Sequence, residues 1–268
     1  MAKQKKQKPN KADRADIHAL YQEAVQDPEN ELDTFDRFFK RYRKRKPRSL
    51  KEDFCGTALF ATEWVKRGKK RWAVGVDLDG PTLNWGREHN VEAAGPNVAQ
   101  RIQLVEANVL DVHEPPVDVV CALNYSYCVF KTREDLIRYF RIARQSLGRD
   151  GIFICDIYGG TEATIEHIDE RRKYKGFSYE WEQAAYDPIT HDTVCHINFY
   201  FSDGSSMKPA FTYEWRLWTV PEIRECLAEA GFGQSDVWWD DGDEDSWYEL
   251  KKSAENQPGW LAYIIAYD

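Results

Sequence analysis

Acidic residues lie at the ends of the first two predicted strands. Glu52 and Asp53 end the first of these strands and run into a turn centred on Gly56. A glycine in such a turn lets backbone N–H groups approach a ligand closely. Asp77 ends the second strand, 21 residues after Gly56. Because a carboxylate at that spacing typically binds the two hydroxyls of a ribose, the pattern predicts a nucleoside-containing cofactor.

The turn lacks the further glycines of the G-x-G-x-x-G fingerprint that accompanies a bound pyrophosphate. A cofactor with a ribose and no phosphate fits better, and S-adenosylmethionine is such a cofactor. The turn also resembles the first motif of the class I S-adenosylmethionine-dependent methyltransferases, E/D-x-G-x-G-x-G. Here the motif reads Glu52-x-Phe54-x-Gly56-x-Ala58, so the middle glycine alone is kept.

The resemblance covers about residues 49–157 and resumes over 219–267. It implies that Asp77 binds the ribose and that Asn108, after the third strand, binds the adenine amino group. It also implies that the stretch 124–127 contacts cofactor and substrate. The residues expected to bind the cofactor are Glu52, Phe54, Cys55, Gly56, Thr57, Asp77, Leu78, Asn108, Val109 and Asn124.

Methyl transfer from a sulfonium is an in-line displacement, in which the protein mainly aligns the nucleophile with the methyl carbon and the sulfur. An amine must arrive neutral, and a hydroxyl usually needs a base. The predicted catalytic residues, at the ends of the fourth and fifth strands, are Tyr125, Tyr127 and Asp156. The predicted substrate-binding residues are Tyr21, Tyr158, Tyr213, Trp215 and Arg216. For the strand-end tyrosines a purely structural role is an equal alternative.

Aromatic residues and five carboxylates share the stretch 238–248. Aromatic faces and carboxylates together suit a cation, so an amine is the working hypothesis for the methyl acceptor and a hydroxyl is the second candidate. An acidic loop in solvent explains residues 240–245 equally well.

Two other functions remain open from the sequence. A methyltransferase acting on RNA or protein is favoured by eight basic residues within 40–51, which would make nucleic-acid binding strongly dependent on salt. Against it, residues 52–268 carry a net charge of −15 and no aromatic-basic recognition motif is evident. A non-catalytic methyltransferase-like scaffold is the other alternative, because residues 54 and 58 depart from glycine.

The order of the elements predicts an α/β fold with a doubly wound, mostly parallel seven-stranded sheet, N-terminal helices and a small antiparallel three-stranded insert. The predicted parts are a disordered basic tail (1–12), an N-terminal helical lid (13–48), a Rossmann-like cofactor-binding core (49–160), an antiparallel β insert capping the substrate site (161–218) and a C-terminal completion of the core sheet (219–268). The predicted strands of the core are 49–54, 72–77, 102–105, 117–123 and 152–157, followed by 234–239 and 260–267; those of the insert are 177–185, 194–201 and 210–217.

Other classes of protein are disfavoured. The six cysteines form no CxxC pair and the six histidines show no metal-ligand spacing, so we expect neither a disulfide framework nor a metal. No apolar run reaches the roughly 20 residues of a membrane span. The lysine-rich N-terminus lacks the apolar stretch of a secretory signal. We expect a cytoplasmic monomer or homodimer that binds a small-molecule substrate.

Overall fold

The computed structural model describes residues 8–240 and 248–268. Its α-helices are α1 (Lys11–Arg14), α2 (Ile17–Val25), α3 (Pro28–Arg43), α4 (Leu59–Lys66), α5 (Gly80–Gly86), α6 (Pro96–Ala99), α7 (Arg133–Gln145) and α8 (Val220–Glu229). Its strands are β1 (Ser49–Asp53), β2 (Trp72–Asp77), β3 (Ile102–Glu106), β4 (Val117–Ala122), β5 (Leu147–Gly159), β6 (Ile168–Lys173), β7 (Phe177–Tyr186), β8 (Asp192–Phe201), β9 (Ser206–Arg216), β10 (Gln234–Trp239), β11 (Glu249–Lys251) and β12 (Trp260–Tyr267). A π-helical segment, Arg87–Glu92, continues α5. Within the described ranges, no helix is both long enough and apolar enough to span a membrane.

The described residues form two compact units. The larger unit contains 27–163 and 216–268 apart from the undescribed 241–247, and the smaller contains 8–26 and 164–215. The predicted lid, 13–48, is therefore divided: α1 and α2 belong to the smaller unit and α3 to the larger.

The larger unit is built on one sheet with the strand order β11-β10-β12-β5-β4-β1-β2-β3. Strands β1 to β5 pair in parallel, whereas β12, β10 and β11 are antiparallel to their neighbours. The α/β class and the mostly parallel sheet are confirmed. The predicted number of seven strands is wrong because the three-residue strand β11 also pairs with β10; a segment that short has no recognisable period.

Helix α3 covers one face of this sheet beside α4. It begins at Pro28, earlier than the predicted start at residue 34, because Asp27 accepts a hydrogen bond from the Asn30 N–H and proline suits the first helical position. Its fully buried side chains, Leu32, Phe35, Phe38 and Phe39, follow the helical period. They pack in one core with residues of α4, β1, β4, β5 and β12.

The smaller unit holds a four-stranded sheet in the order β6-β7-β8-β9. The prediction of three strands missed β6, whose sequence IDERRK has none of the apolar alternation that indicates a strand. Helix α2 packs on this sheet through Leu20 and Ala24. Residues 11 and 12, which were assigned to a disordered tail, begin α1, because Asn10 and Asp13 form a capping box there. Residues 1–7 of the predicted tail lie outside the described residues.

A buried ion pair lies on the α7 side of β1. The Lys51 ammonium binds the Asp53 carboxylate, and the Tyr139 hydroxyl of α7 donates to the other Asp53 oxygen at 3.0 Å. Lys51 and Asp53 are at most 1% exposed. Removing one partner of such a pair leaves the other charge buried and uncompensated.

We expect Lys51→Met to lower the free energy of unfolding by about 3–5 kcal/mol, because Asp53 would lose its counter-ion. The double variant Lys51→Met/Asp53→Leu should recover much of this loss. Urea denaturation of both variants measures the effect, and a double variant as unstable as the single one would contradict it.

Candidate functional site

The bend between β1 and α4 has an unusual backbone. Phe54, Gly56 and Ala58 all have positive φ angles, of 59°, 52° and 53°. These are the three alternate positions that are small residues in the motif this turn resembles. A left-handed conformation costs a non-glycine residue roughly 1–2 kcal/mol, so the bend keeps its shape at some cost at Phe54 and Ala58.

Contacts with the neighbouring strand and helix hold the bend in place. Cys55 donates its backbone N–H to the Val76 carbonyl at 3.0 Å. The chain after β2 passes so close that a Cβ on Gly86 would lie 2.2 Å from the Thr57 carbonyl oxygen. Glycine is therefore required at position 86, and Asn90 donates to the same carbonyl at 2.8 Å.

The end of β2 presents a carboxylate beside an apolar side chain. One Asp77 oxygen accepts the Gly56 N–H at 2.7 Å, and the other accepts the Asp79 N–H at 2.9 Å. Leu78, next in the chain, is 68% exposed. The carboxyl ends of β1 and β2 thus meet through Asp77 and Gly56, two of the residues that the sequence assigns to cofactor binding.

Glu52 of β1 and Phe54 of the bend, which also belong to the predicted cofactor set, contact other parts of the protein. Glu52 is buried and accepts the Ala61 N–H of α4 at 2.9 Å; burial and the nearby acids Glu31 and Asp77 hold its pKa well above the usual value. The Phe54 ring packs against Tyr139 on the α7 side, with ring centroids 5.7 Å apart.

Two further predicted cofactor contacts have structural roles. The Cys55 side chain is buried, and its sulfur would lie 2.9 Å from a Cβ on Gly75, so it fills space against β2. The Asn108 side-chain oxygen accepts the Leu110 N–H at 2.9 Å and caps a short 3-10 turn, which leaves its amide N–H groups as donors; Val109 is buried.

Asp156 near the end of β5 organises the loop after β4. Its two carboxylate oxygens accept the N–H groups of Asn124, at 2.7 Å, and Tyr125, at 2.9 Å. Both of these residues have positive φ angles. Burial raises the pKa of Asp156 to about 7, although the two N–H donors favour the carboxylate.

The tyrosines of this loop differ in their accessibility. Tyr127 is fully buried and its hydroxyl donates to the Asp156 carbonyl at 2.9 Å, so this hydroxyl helps to hold the loop, and its expected catalytic role stays a prediction. Tyr125 is partly exposed and lies against Tyr158 of β5, with ring centroids 4.7 Å apart.

The remaining predicted substrate residues are divided between the two units. Arg216 belongs to the larger unit, where it binds Glu222 at 2.9 Å and stacks on Trp218, so its guanidinium has partners at the start of α8. Tyr21, Tyr213 and Trp215 belong to the smaller unit. There, the Tyr213 and Trp215 rings stack with centroids 4.5 Å apart, and Tyr21 contacts Phe211. Most of the acidic run, 241–247, lies outside the described residues.

Glu31, in the first turn of α3, is a residue that sequence reasoning missed. Burial, the Asp156 carboxylate and Asp27 together raise the pKa of Glu31 to about 8. The sequence offered one signal: Glu31 precedes Phe35 by four residues, so it lies on the buried face of α3.

Three further observations concern possible binding sites elsewhere in the described residues. A surface cavity of about 1040 Å³ is bordered by α8, β10 and residues 251–254, and none of the predicted site residues lines it. Among the residues that the structure describes, no group of three His, Cys, Asp or Glu side chains is arranged to hold a metal ion. In the basic 40–51 segment, Arg45 pairs with Asp118 and Arg43 binds carbonyls at 150 and 151.

The fold is shared with solved methyltransferase structures. No protein-family model matches the sequence, and comparison with curated proteins gives no match. One similar structure is an S-adenosylmethionine-dependent methyltransferase from Clostridium acetobutylicum, with 16% identity, TM-score 0.68 and coverage of 94% of this chain and 98% of that one. A second is an S-adenosylmethionine-bound amino pentose methyltransferase of calicheamicin biosynthesis from Micromonospora echinaspora, with 13% identity, TM-score 0.65 and coverage of 92% and 95%. A third is a sugar N-methyltransferase from Streptoalloteichus, with 16% identity, TM-score 0.64 and coverage of 95% and 94%. The chain has the class I methyltransferase fold.

The strain at the bend is testable. Ala58→Gly should raise the free energy of unfolding by about 0.5–1 kcal/mol, because relief of the left-handed strain outweighs the entropy that glycine loses on folding. Ala61→Gly, in the regular part of α4, is the control and should lower it by about 1 kcal/mol. If Ala58→Gly and Ala61→Gly lowered the free energy of unfolding equally, the assignment of strain to Ala58 would be contradicted.

The raised pKa of Glu31 also has a thermodynamic consequence. Between pH 4.5 and about 8 the folded chain binds more protons at Glu31 than the unfolded chain, so the ligand-free protein should lose stability as the pH rises through this window. Glu31→Gln should make the decline shallower, whereas the exposed Glu29→Gln should leave it unchanged. Urea midpoints at several pH values measure the slopes, and identical slopes for Glu31→Gln and the unmodified protein would contradict the prediction.

Proposed function

We propose that this chain is an S-adenosylmethionine-dependent methyltransferase that methylates a small molecule at an amine nitrogen. The proposal rests on the hydrogen bond that the Gly56 N–H donates to the Asp77 carboxylate at the carboxyl ends of β1 and β2. In open α/β sheets, ligands bind outside the carboxyl ends of the strands. A carboxylate at that place is the group that a ribose diol requires.

The chemistry of the donor set fits S-adenosylmethionine. The exposed Leu78 beside Asp77 offers an apolar surface for a purine ring. The Glu31 carboxyl interacts with those of Glu52 and Asp156, and three such groups suit a ligand that carries a sulfonium and an ammonium. The bend itself has one glycine and no basic side chain for a phosphate.

An amine acceptor is favoured over a hydroxyl by two observations. Acidic groups and tyrosines, among them Tyr125, Tyr158 and Tyr263, surround Asp156, and this combination attracts an ammonium group. Two of the similar structures are an amino pentose methyltransferase and a sugar N-methyltransferase. The acceptor class is thus a small amine, with amino sugars the first to test.

The residues of the chain would act mainly by positioning. Asp77 would bind the ribose hydroxyls, and the bend would approach the methionine end of the cofactor through its backbone. Asp156 would fix the loop carrying Asn124 and Tyr125, which borders the acceptor. S-adenosylmethionine supplies the electrophilic methyl group when it is bound. Held in line with the nucleophile, it needs little further chemical assistance.

Action on RNA is the weaker candidate. Arg43, at the C-terminal end of α3, donates to the carbonyls of Asp150 and Gly151 near the start of β5. The basic segment therefore lies at the amino ends of the parallel strands, opposite the proposed cofactor site. Lys51 is buried and Arg45 is paired with Asp118, so part of the positive charge is already used within the chain.

Calorimetry with S-adenosylmethionine tests the proposal. We expect Asp77→Asn to weaken binding by about 10- to 100-fold, because a hydrogen bond to a charged group contributes roughly 1.5–3 kcal/mol. Asp150→Asn, which removes the same charge at the opposite edge of the sheet, is the matched control and should bind normally.

Two results would contradict the proposal. Absence of binding by the unmodified protein would favour the non-catalytic scaffold. Equal affinity of the Asp77→Asn variant would place the cofactor elsewhere. Incubation with labelled cofactor and amino sugars, phenols or RNA then identifies the acceptor class, and label in RNA alone would overturn the small-molecule assignment.

A further inference from the structure

The direction of helix α3 brings Glu31 to the proposed ligand edge. Arg43 anchors the C-terminal end of α3 at the start of β5, so the N-terminal end points toward the carboxyl end of that strand. The twelve residues from Glu31 to Arg43 rise about 18 Å along a helix. The five residues from Gly151 to Asp156 rise about 17 Å along a strand. Glu31 therefore lies level with Asp156.

Glu31 and Asp156 also lie on the same side of the sheet. Asp156 is paired with Tyr263 of β12, and paired residues share a face. The Tyr263 ring contacts Phe35 and Phe38 of α3, with ring centroids 6.0 and 5.6 Å apart. Glu31 precedes Phe35 by four residues and so extends the same helix face. The Asp156 carboxylate acts directly on Glu31 through this space.

The surroundings of Glu31 are acidic. The groups that interact electrostatically with it are Asp156 of β5, Glu52 of β1, Asp27 before its own helix, Tyr263 of β12, Cys121 of β4, and Tyr248, which precedes β11. In the described part of the chain, the salt bridges and hydrogen bonds include no partner for the Glu31 carboxyl, whereas both Asp156 oxygens accept backbone N–H groups. Like charges buried together are stabilised by a proton or by a cation. A site of this kind is suited to receive an ammonium group and its proton.

We propose that Glu31 binds the ammonium group of the methyl acceptor and accepts its proton, beside the fixed carboxylate of Asp156. This inference rests on the proposed function and assigns the acceptor end of the same site. One N–H proton moves to the Glu31 carboxylate and leaves a neutral amine whose lone pair forms the bond to the methyl carbon. The carbon–sulfur bond of the bound cofactor would break with its electron pair going to sulfur. The methylated ammonium would leave with its positive charge, and Glu31 would keep the transferred proton, as in the ligand-free protein.

The pKa of about 8 is consistent with this role. In the ligand-free protein, Glu31 is largely protonated at neutral pH because burial and Asp156 disfavour its charge. The positive charge of a bound cation lowers the pKa of Glu31, so binding of the cation should release a proton from this carboxyl group. The released proton gives a signal that is independent of turnover.

Two known cofactor analogues make the test specific. S-adenosylhomocysteine has a neutral sulfur at the reacting centre, whereas sinefungin carries an amine there, and both keep the methionine ammonium. The amine of sinefungin takes the place of the transferred methyl group and therefore points toward the acceptor position. We expect the unmodified protein to bind sinefungin at least about tenfold more tightly than S-adenosylhomocysteine in calorimetry, as a charged hydrogen bond of roughly 1.5 kcal/mol requires.

Glu31→Gln should abolish this preference while leaving the affinity for S-adenosylhomocysteine within about twofold, which also shows that the variant is folded. Glu31→Asp should restore part of the preference. Glu29 is exposed and lies two residues before Glu31, so Glu29→Gln is the matched control and should behave as the unmodified protein. Binding heats in buffers of different ionisation enthalpy should reveal proton release with sinefungin, and Glu31→Gln should remove it.

Three results would overturn the inference. The first is a preference for sinefungin that survives in Glu31→Gln or is absent from the unmodified protein. The second is an equal loss of affinity for both analogues in Glu31→Gln, which would assign Glu31 to the methionine ammonium of the cofactor. The third is failure of the unmodified protein to bind either analogue, and this result alone would also remove the proposed function.

Discussion

The crowding of carboxyl groups at the carboxyl edge of one sheet is the constraint on which the site depends. Glu52, Asp77 and Asp156 end three parallel strands, and α3 brings Glu31 to the same edge. Backbone N–H groups satisfy Asp77 and Asp156, but hydrogen bonds of this kind do not neutralise charge. Burying several carboxyl groups together costs free energy, which a cationic ligand offsets. Under the proposed function, the cationic cofactor and the ammonium of the acceptor would supply that compensating charge.

Part of this arrangement can be read from the sequence. Asp77 and Gly56 are assigned to one site because each follows a strand and the spacing of 21 residues is typical of ribose binding, and the structure joins the two by a hydrogen bond. The α/β class follows from apolar strands that alternate with helices. Asp156 is named as a catalytic candidate from its place at the end of the fifth strand, and that role stays a prediction.

Other features required three-dimensional information. Glu31 lies 125 residues from Asp156 in the sequence, and only the packing of α3 against β12 brings the two together. Tyr127 and Arg216 looked chemically suitable, but their polar groups are used by the Asp156 carbonyl and by Glu222. Strands β6 and β11 escaped prediction because one is charged throughout and the other has three residues. Side-chain polarity alone does not distinguish a ligand contact from an internal hydrogen bond.

The positive φ angles at Phe54, Gly56 and Ala58 show that the shape of this turn does not require glycine at all three positions. A phenylalanine or an alanine can follow the same path of the main chain when the surrounding packing compensates for the strain. Substitutions at such a turn can therefore leave its backbone available to a ligand while changing the side chains around it.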